Sequence, residues 1–328
     1  MQEYIIDFPK QLKDALTLVK SNALSVRTEP IANIVISGLG GSGFLADCLF
    51  DLCIDTVTVP ILANKGYSLP KFCDAKTLLI LVSYSGNTEE TLSCFHEAVA
   101  LNLKPICVSS GGKLKDYALA NGFDHVIMPP GFPPRASLAF GVTNLFYILN
   151  HFGMYSIDVQ DTFSKLSDFL LASQTDIKAQ TKNFALHFKN KILVAYAEDK
   201  IDSVALRLKQ QINENSKAFC WYNIIPELNH NEVVGWKQGH HEIGSLFIRT
   251  SFENVRNKHR FDFLKPLLSN YVNEVLEIRA EGATFFEQYF YLIHWCDWLS
   301  YYLALEHEQD PTEVRVIDNL KAYLNNIN

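Results

Sequence analysis

The chain has 328 residues, 48% of them apolar, and a formal net charge of −7. That length holds two domains with full cores, and the apolar share excludes a disordered chain. The acidic balance argues against a nucleic-acid partner, which needs a basic field, and no apolar run reaches the roughly 18–20 residues of a membrane span. A helix is predicted over 10–26, with Leu12, Leu16 and Val19 on one face. Short apolar runs then alternate with helices. Strands are predicted over 31–36, 57–62, 77–82, 105–108 and 125–128, and helices over 43–52, 89–100 and 113–120. Such alternation implies a parallel sheet covered on both faces. A proline-rich loop at 129–135 leads into an apolar helix over 138–151.

The pattern repeats. A helix over 160–188 precedes strands over 191–197, 218–222, 245–248 and 274–278. Helices over 201–214, 229–235 and 253–268 separate them, and helices over 284–306 and 311–325 follow. The 284–306 helix is apolar nearly all round, which reads as core or subunit interface. Two similar α/β halves, 1–153 and 154–328, are expected to join without a low-complexity linker. Seven cysteines are scattered with no C-x-x-C pair, and the N-terminus lacks a charged n-region and apolar h-region. Both features suit reduced thiols in a cytoplasmic protein. Lys258-His259-Arg260, the densest basic cluster, reads as a solvated helix face.

Chemistry concentrates at two strand-to-helix turns. Ser83-Tyr84-Ser85-Gly86-Asn87-Thr88-Glu89-Glu90 follows the apolar run 78–82 and precedes a helix. Three hydroxyls, an amide and a glycine therefore stand where backbone N–H groups are unpaired and the helix dipole is positive. That is a phosphate cradle built without lysine or arginine; the plainer reading is a capped helix. The second turn, Gly38-Leu39-Gly40-Gly41-Ser42-Gly43, matches the dinucleotide pattern G-x-G-x-x-G. A nicotinamide site also expects an acid at the end of the second strand, yet that strand ends Leu62-Ala63-Asn64 and Asp55 precedes it. In a doubly wound sheet both turns lie at carboxyl ends of strands, where ligands bind. One loop can cover a sugar while the other grips its phosphate.

Five motifs occur in order: Gly-Leu-Gly-Gly-Ser-Gly at 38–43, Ser-Tyr-Ser-Gly-Asn-Thr-Glu-Glu-Thr at 83–91, Pro133-Pro134-Arg135-Ala136-Ser137, Glu227-Leu228-Asn229-His230-Asn231-Glu232, and Asp310-Pro311-Thr312 with Leu320-Lys321. With them the chain resembles the sugar isomerase (SIS) fold and, more closely, the bifunctional phosphoglucose/phosphomannose isomerase family. The resemblance implies an α/β protein of two SIS-type doubly wound parallel-sheet subdomains, each a flavodoxin-like three-layer sandwich. It implies a hexose 6-phosphate substrate, no cofactor, no metal, no nucleic acid and no membrane. It also implies a homodimer, with His230 a candidate to reach the site from the partner subunit. Carried over residue by residue, Gly41, Ser42, Ser83, Ser85 and Thr88 contact substrate, and Arg135 lies near the reacting carbons. Glu214 is the proton-transferring base, His230 acts at the ring oxygen and Lys321 assists ring opening.

The residues themselves leave rival readings. Glu214, in Gln210-Gln211-Ile212-Asn213-Glu214-Asn215-Ser216, ends a predicted helix and by sequence alone is an ordinary surface glutamate. Arg135 follows two stiffening prolines but otherwise reads as an exposed loop arginine. His230 sits among polar neighbours, and a metal reading can invoke His240, His241 and Glu242, although no His-Glu-x-x-His pattern occurs. Lys321 can act only if the last helix folds back over the cleft. A sugar-phosphate-binding regulator would carry a DNA-binding domain, for which the ~30 residues before the first strand are too few. A glutamine-dependent amino-sugar isomerase would begin with a catalytic cysteine, and Met1-Gln2-Glu3 offers none.

Overall fold

The computed structural model describes residues 1–272, 275–324 and 326–327. Glu274, where one strand was expected to start, and Asn325, where the last helix was expected to end, lie outside the described residues. The chain divides into an N-terminal unit, Ile6–Ala172, and a C-terminal unit, Ser173–Asn328 with Met1–Ile5.

Helices α1 (Gln2–Ile6) and α2 (Phe8–Val19) open the chain. Then follow β1 (Asn33–Ser37), α3 (Gly40–Cys53), β2 (Ile61–Asn64), β3 (Thr77–Val82), α4 (Glu89–Ala100), β4 (Ile106–Ser109), α5 (Gly112–Ala120), β5 (His125–Ile127) and α6 (Leu138–His151). The five strands form one parallel sheet in the order β2-β1-β3-β4-β5. Every residue of β3 is buried, as its unbroken apolar run requires of a strand covered on both faces. One face packs Leu79, Leu81, Cys94, Phe95 and Leu114 into a core beneath α4 and α5. The other face is covered by α2, α3 and α6. Sheet order reverses between β1 and β3, so a crevice opens at their carboxyl ends. Strand β2 starts four residues later than expected from 57–62. Pro60 has no N–H for the ladder and offers only its carbonyl, to Ile34 N.

The division falls inside α7 (Val159–Phe188) rather than at 153/154. The first half of this helix belongs to the N-terminal core, where Phe163 packs on Phe146 and Ser167 Oγ donates to Pro9 O. The second half packs Phe184 edge-on against Trp295 and sets the Lys178 ammonium over the Trp298 ring.

The C-terminal unit continues with β6 (Ile192–Glu198), α8 (Asp202–Gln211), β7 (Cys220–Ile225), α9 (Glu232–Gly235), β8 (Ile243–Arg249), α10 (Val255–Leu268), β9 (Val275–Arg279), α11 (Phe285–Glu306) and α12 (Arg315–Leu324). Its parallel sheet runs β7-β6-β8-β9. Strand β7 continues past the expected 218–222, pairing with β6 up to Glu198 opposite Ile225, where Pro226 ends the ladder. Helix α11 starts at a capping box of Thr284 and Glu287 and is buried from Gln288 through Tyr301. It is core, as its aromatic surface predicts. Helix α12 has no buried residue. All seven cysteines are free and buried. Among the described residues, no helix is long and apolar enough to cross a membrane.

Candidate functional site

The β1/β3 crevice of the N-terminal unit gathers six of the nine expected site residues. The turn after β3 is held open as a loop by its own side chains. Ser83 is fully buried, and its Oγ lies 2.8 Å from Thr88 Oγ1. Ser85 is exposed, and its Oγ accepts from Asn87 N at 3.2 Å. Thr88 stands at the N-cap of α4, but its side chain makes no capping hydrogen bond. That removes the plain capped-helix reading: the hydroxyl is spent inside the loop, and no side chain of the N-cap covers the first-turn N–H groups of α4. Those groups and the Ser85 hydroxyl are left open at the crevice, as an anion site requires. Gly86 is required here. It has a φ of +70°, and a Cβ would stand 1.8 Å from Gly111 O.

The glycine loop closes against the same turn. Ser42 is buried, and its Oγ accepts from Tyr84 N at 3.1 Å. A Cβ on Gly41 would sit 3.1 Å from Pro134 O and 3.3 Å from Arg135 Cα. A bare backbone at 41 therefore lets the Pro-Pro-Arg segment lie directly on the loop. Arg135 is only 4% exposed, in a 3₁₀ turn (Pro134–Ala136), so it is not the exposed loop arginine that composition suggests. Tyr84 latches this arrangement. Its hydroxyl donates to Pro129 O and accepts from Phe132 N, both at 2.8 Å. The loops after β1, after β3 and before α6 thus form one polar cradle, with the backbone at Arg135 packed on Gly41.

The other three expected residues lie in the C-terminal unit. At the end of α8 the chain widens into a π-helical turn (Ile212–Ser216) that carries half-buried Glu214. Single π turns often mark functional positions. The turn is braced from α11. Arg207 Nε and Nη2 each lie 2.9 Å from a carboxylate oxygen of buried Asp297, and Gln211 Nε2 donates to the same carboxylate at 2.7 Å. Asn215 Nδ2 donates to Ser300 Oγ, and Ser216 Oγ to Ser300 O. Lys217, in the left-handed conformation (φ 52°), closes the turn and donates from Nζ to the carbonyls of Glu214 and Asp310. The segment ahead of α12 is thereby tied to the turn that bears Glu214.

His230 is exposed at the end of a 3₁₀ turn (Glu227–His230), and the predicted single helix over 229–235 breaks there. Asn231 causes the break. Its side chain caps α9 by accepting from Glu232 N and donates to Glu227 Oε1 at 2.7 Å. Glu232 then anchors the segment. Its carboxylate accepts from Tyr196 Oη, from Asn223 Nδ2 at 2.7 Å and from Trp221 Nε1 at 3.2 Å. Trp236 Nε1 donates to Tyr196 Oη at 3.0 Å. His240 contacts the Trp236 ring edge-on, and its Nε2 lies 3.4 Å from Gly235 O. Among the described residues, no group of three His, Cys, Asp or Glu side chains is arranged to hold a metal. Lys321 is exposed on α12.

The second crevice, between β6 and β8, is filled by the chain itself. Glu198 is buried and accepts from Asn254 N at 2.7 Å and Asn257 Nδ2 at 2.9 Å, at the start of α10. A carboxylate thus stands at the helix end where an anion would bind.

Over 334 residues the chain is 35% identical to a bifunctional phosphoglucose/phosphomannose isomerase of Caldicellulosiruptor bescii, covering 99% of this chain and 98% of that protein. The chain belongs to the bifunctional phosphoglucose/phosphomannose isomerase family. A protein of the same description from Aquifex aeolicus is 34% identical over 90% of this chain and 91% of its own length. Residues 177–324 match the family model of the bacterial phospho-glucose isomerase C-terminal SIS domain. The fold is that of the C-terminal domain of glucosamine-fructose-6-phosphate aminotransferase from Francisella tularensis, with a TM-score of 0.76 at 12% identity, covering 95% of this chain and 98% of that one. Both parallel sheets accord with the SIS architecture. Within the family's motifs, Tyr84 and Glu232 are the anchoring residues that sequence reasoning passed over. A tyrosine inside a Ser/Thr loop and a second glutamate after a histidine were the available signals. Asp297, buried mid-helix among aromatics, offered another, because a carboxylate there needs a partner.

Proposed function

We propose that this chain interconverts glucose 6-phosphate and fructose 6-phosphate, and also mannose 6-phosphate, through a cis-enediol. The observation that carries the reading is the neutral cradle at the β1/β3 crevice, in a chain of this family. The Ser83–Thr88 loop takes the phosphate, with Gly41 and Ser42 against the sugar. His230 gives a proton to the ring oxygen and Lys321 assists as the hemiacetal opens. Glu214 then removes the C2 proton while the C1 carbonyl oxygen gains one, which forms the enediol. Arg135 stabilises the negative charge that develops on the oxygens. Loss of the O2 proton and return of a proton to C1 complete the ketose, so atoms balance with no redox partner. The enediol is planar at C2, where glucose and mannose differ, so a base that returns the proton to either face serves both epimers. We place the enzyme in the cytoplasm as a homodimer, with His230 reaching the partner's site.

The test is to incubate the protein with each hexose 6-phosphate, without added metal or nucleotide, and to follow the product sugars by NMR. Turnover is expected, and it should survive exhaustive chelation. Glu214→Gln should lower kcat by about 10²–10⁴-fold. Turnover of none of the sugars would overturn the reading, and a Glu214→Gln enzyme with most of its activity would overturn the assignment of the base.

A further inference from the structure

A second polar site lies in the C-terminal unit, lined by none of the residues assigned above to substrate. A groove of about 410 Å³ is lined by Asn229 and Val233 on one side and by Arg256, His259, Arg260 and Phe263 of α10 on the other. That volume lies within the range of small-molecule sites. Positions 256, 259, 260 and 263 share one face of the helix, since residues three and four apart are neighbours. The basic cluster at 258–260 is therefore not simply a solvated face: Lys258 departs from this stripe, and Arg256 joins it one turn earlier.

The charge on this face is uncompensated. Among the described residues, the side chains of Arg256, His259 and Arg260 make no ion pair or hydrogen bond, although the chain as a whole is acidic. Like charges at i and i+4 repel, so Arg256 and Arg260 destabilise α10 unless something anionic lies between them. The nearby acids are engaged elsewhere. Glu253 and Asp262 face Arg249, Glu232 is held by Tyr196 and Asn223, and Glu227 takes Asn231. Arg260 is half-buried, so its charge is partly withdrawn from water. On the opposite wall the Asn229 amide oxygen is buried and has no hydrogen-bond partner. Phe263, 66% exposed, adds a flat apolar surface at the mouth.

We propose that this groove binds a small phosphorylated metabolite. The two arginines grip the phosphate, and a flat apolar part of the ligand lies on Phe263, with Asn229 on the facing wall. Forked guanidinium groups match phosphate oxygens with paired hydrogen bonds. Asn229 adjoins His230, so an occupied groove acts on the segment that presents the histidine. The proposal stands on its own residues and does not depend on the isomerase reading.

The test is binding to the full-length protein, read on the His259 ring resonances by NMR. Inorganic phosphate and adenosine 5′-monophosphate are the probes, since neither is a hexose phosphate. Both should shift His259 saturably, with the nucleotide tighter because its ring meets Phe263. Arg256→Gln combined with Arg260→Gln should weaken both by at least about tenfold. Phe263→Ala should weaken only the nucleotide. Circular dichroism of these exposed-face variants checks that they fold. The cradle variant Ser85→Ala/Thr88→Ala should leave the His259 shifts unchanged, which separates this site from the crevice. No saturable shift with either probe, or a shift that the double arginine variant retains, overturns the proposal.

Discussion

Among single residues, burial sorts the hydroxyls of the cradle. Ser83 and Ser42 are buried and hold the loop by bonding Thr88 and Tyr84 N, whereas Ser85 is exposed. Ser85→Ala combined with Thr88→Ala should raise KM for fructose 6-phosphate by about tenfold or more, for hydrogen bonds to a charged group, and leave kcat within a few-fold. Steady-state kinetics at fixed pH checks this, and an unchanged KM contradicts a phosphate role. The residue types of this loop were legible in the sequence because strand, glycine and hydroxyls follow one another without a gap. Arg135 was not, since nothing local says that a proline-flanked arginine will be buried. It is buried because Gly41 lets the Pro134 backbone approach to contact distance.

Among elements, the helix α11 does two things. It forms the centre of the C-terminal core, and it carries the carboxylate that braces the π turn of Glu214. The first is written in its aromatic sequence. The second needs Asp297 to meet Arg207, 90 residues apart. Its interior also holds His294, fully buried, accepting from Trp298 Nε1 at 3.2 Å. Burial pushes this imidazole down to about 3. Unfolded, it returns to about 6.5. Above that pH both states are neutral and the folded state keeps its full stability. As pH falls from about 6.5 towards 3, only the unfolded state takes up the proton, so stability is lost at up to ~1.4 kcal/mol per pH unit. Urea unfolding between pH 7.5 and 4.5, followed by tryptophan fluorescence, isolates this unit, because Trp221, Trp236, Trp295 and Trp298 all lie in it. His294→Gln should reduce the linked uptake by about one proton. The same slope in both proteins would remove His294 as its source.

For the whole molecule, α12 is the element whose place a single chain leaves open. Val316, Ile317, Leu320 and Leu324 are exposed on it, an apolar stripe at helical spacing, and Lys321 lies beside them. Lys321 can assist ring opening only with this helix seated. Saturating fructose 6-phosphate should therefore slow tryptic cleavage after Arg315 and Lys321 by about tenfold, as ligand binding suppresses local opening. Equal cleavage rates with and without the sugar would remove Lys321 from the mechanism.

Much of this protein follows from local order along the chain. Alternating apolar strands and helices determine two parallel α/β units, because a strand read as an unbroken apolar run must be covered on both faces. Glycines and hydroxyls at a strand end determine an open strand-to-helix turn, because backbone N–H groups are unpaired there. Tertiary structure alone decided the rest. It set the boundary within α7, where packing partners change halfway along one helix. It also buried Arg135, braced Glu214 from α11 and closed the second crevice with Glu198. Each of these depends on residues far apart in sequence coming within hydrogen-bond or contact distance, and periodicity carries no record of such distances.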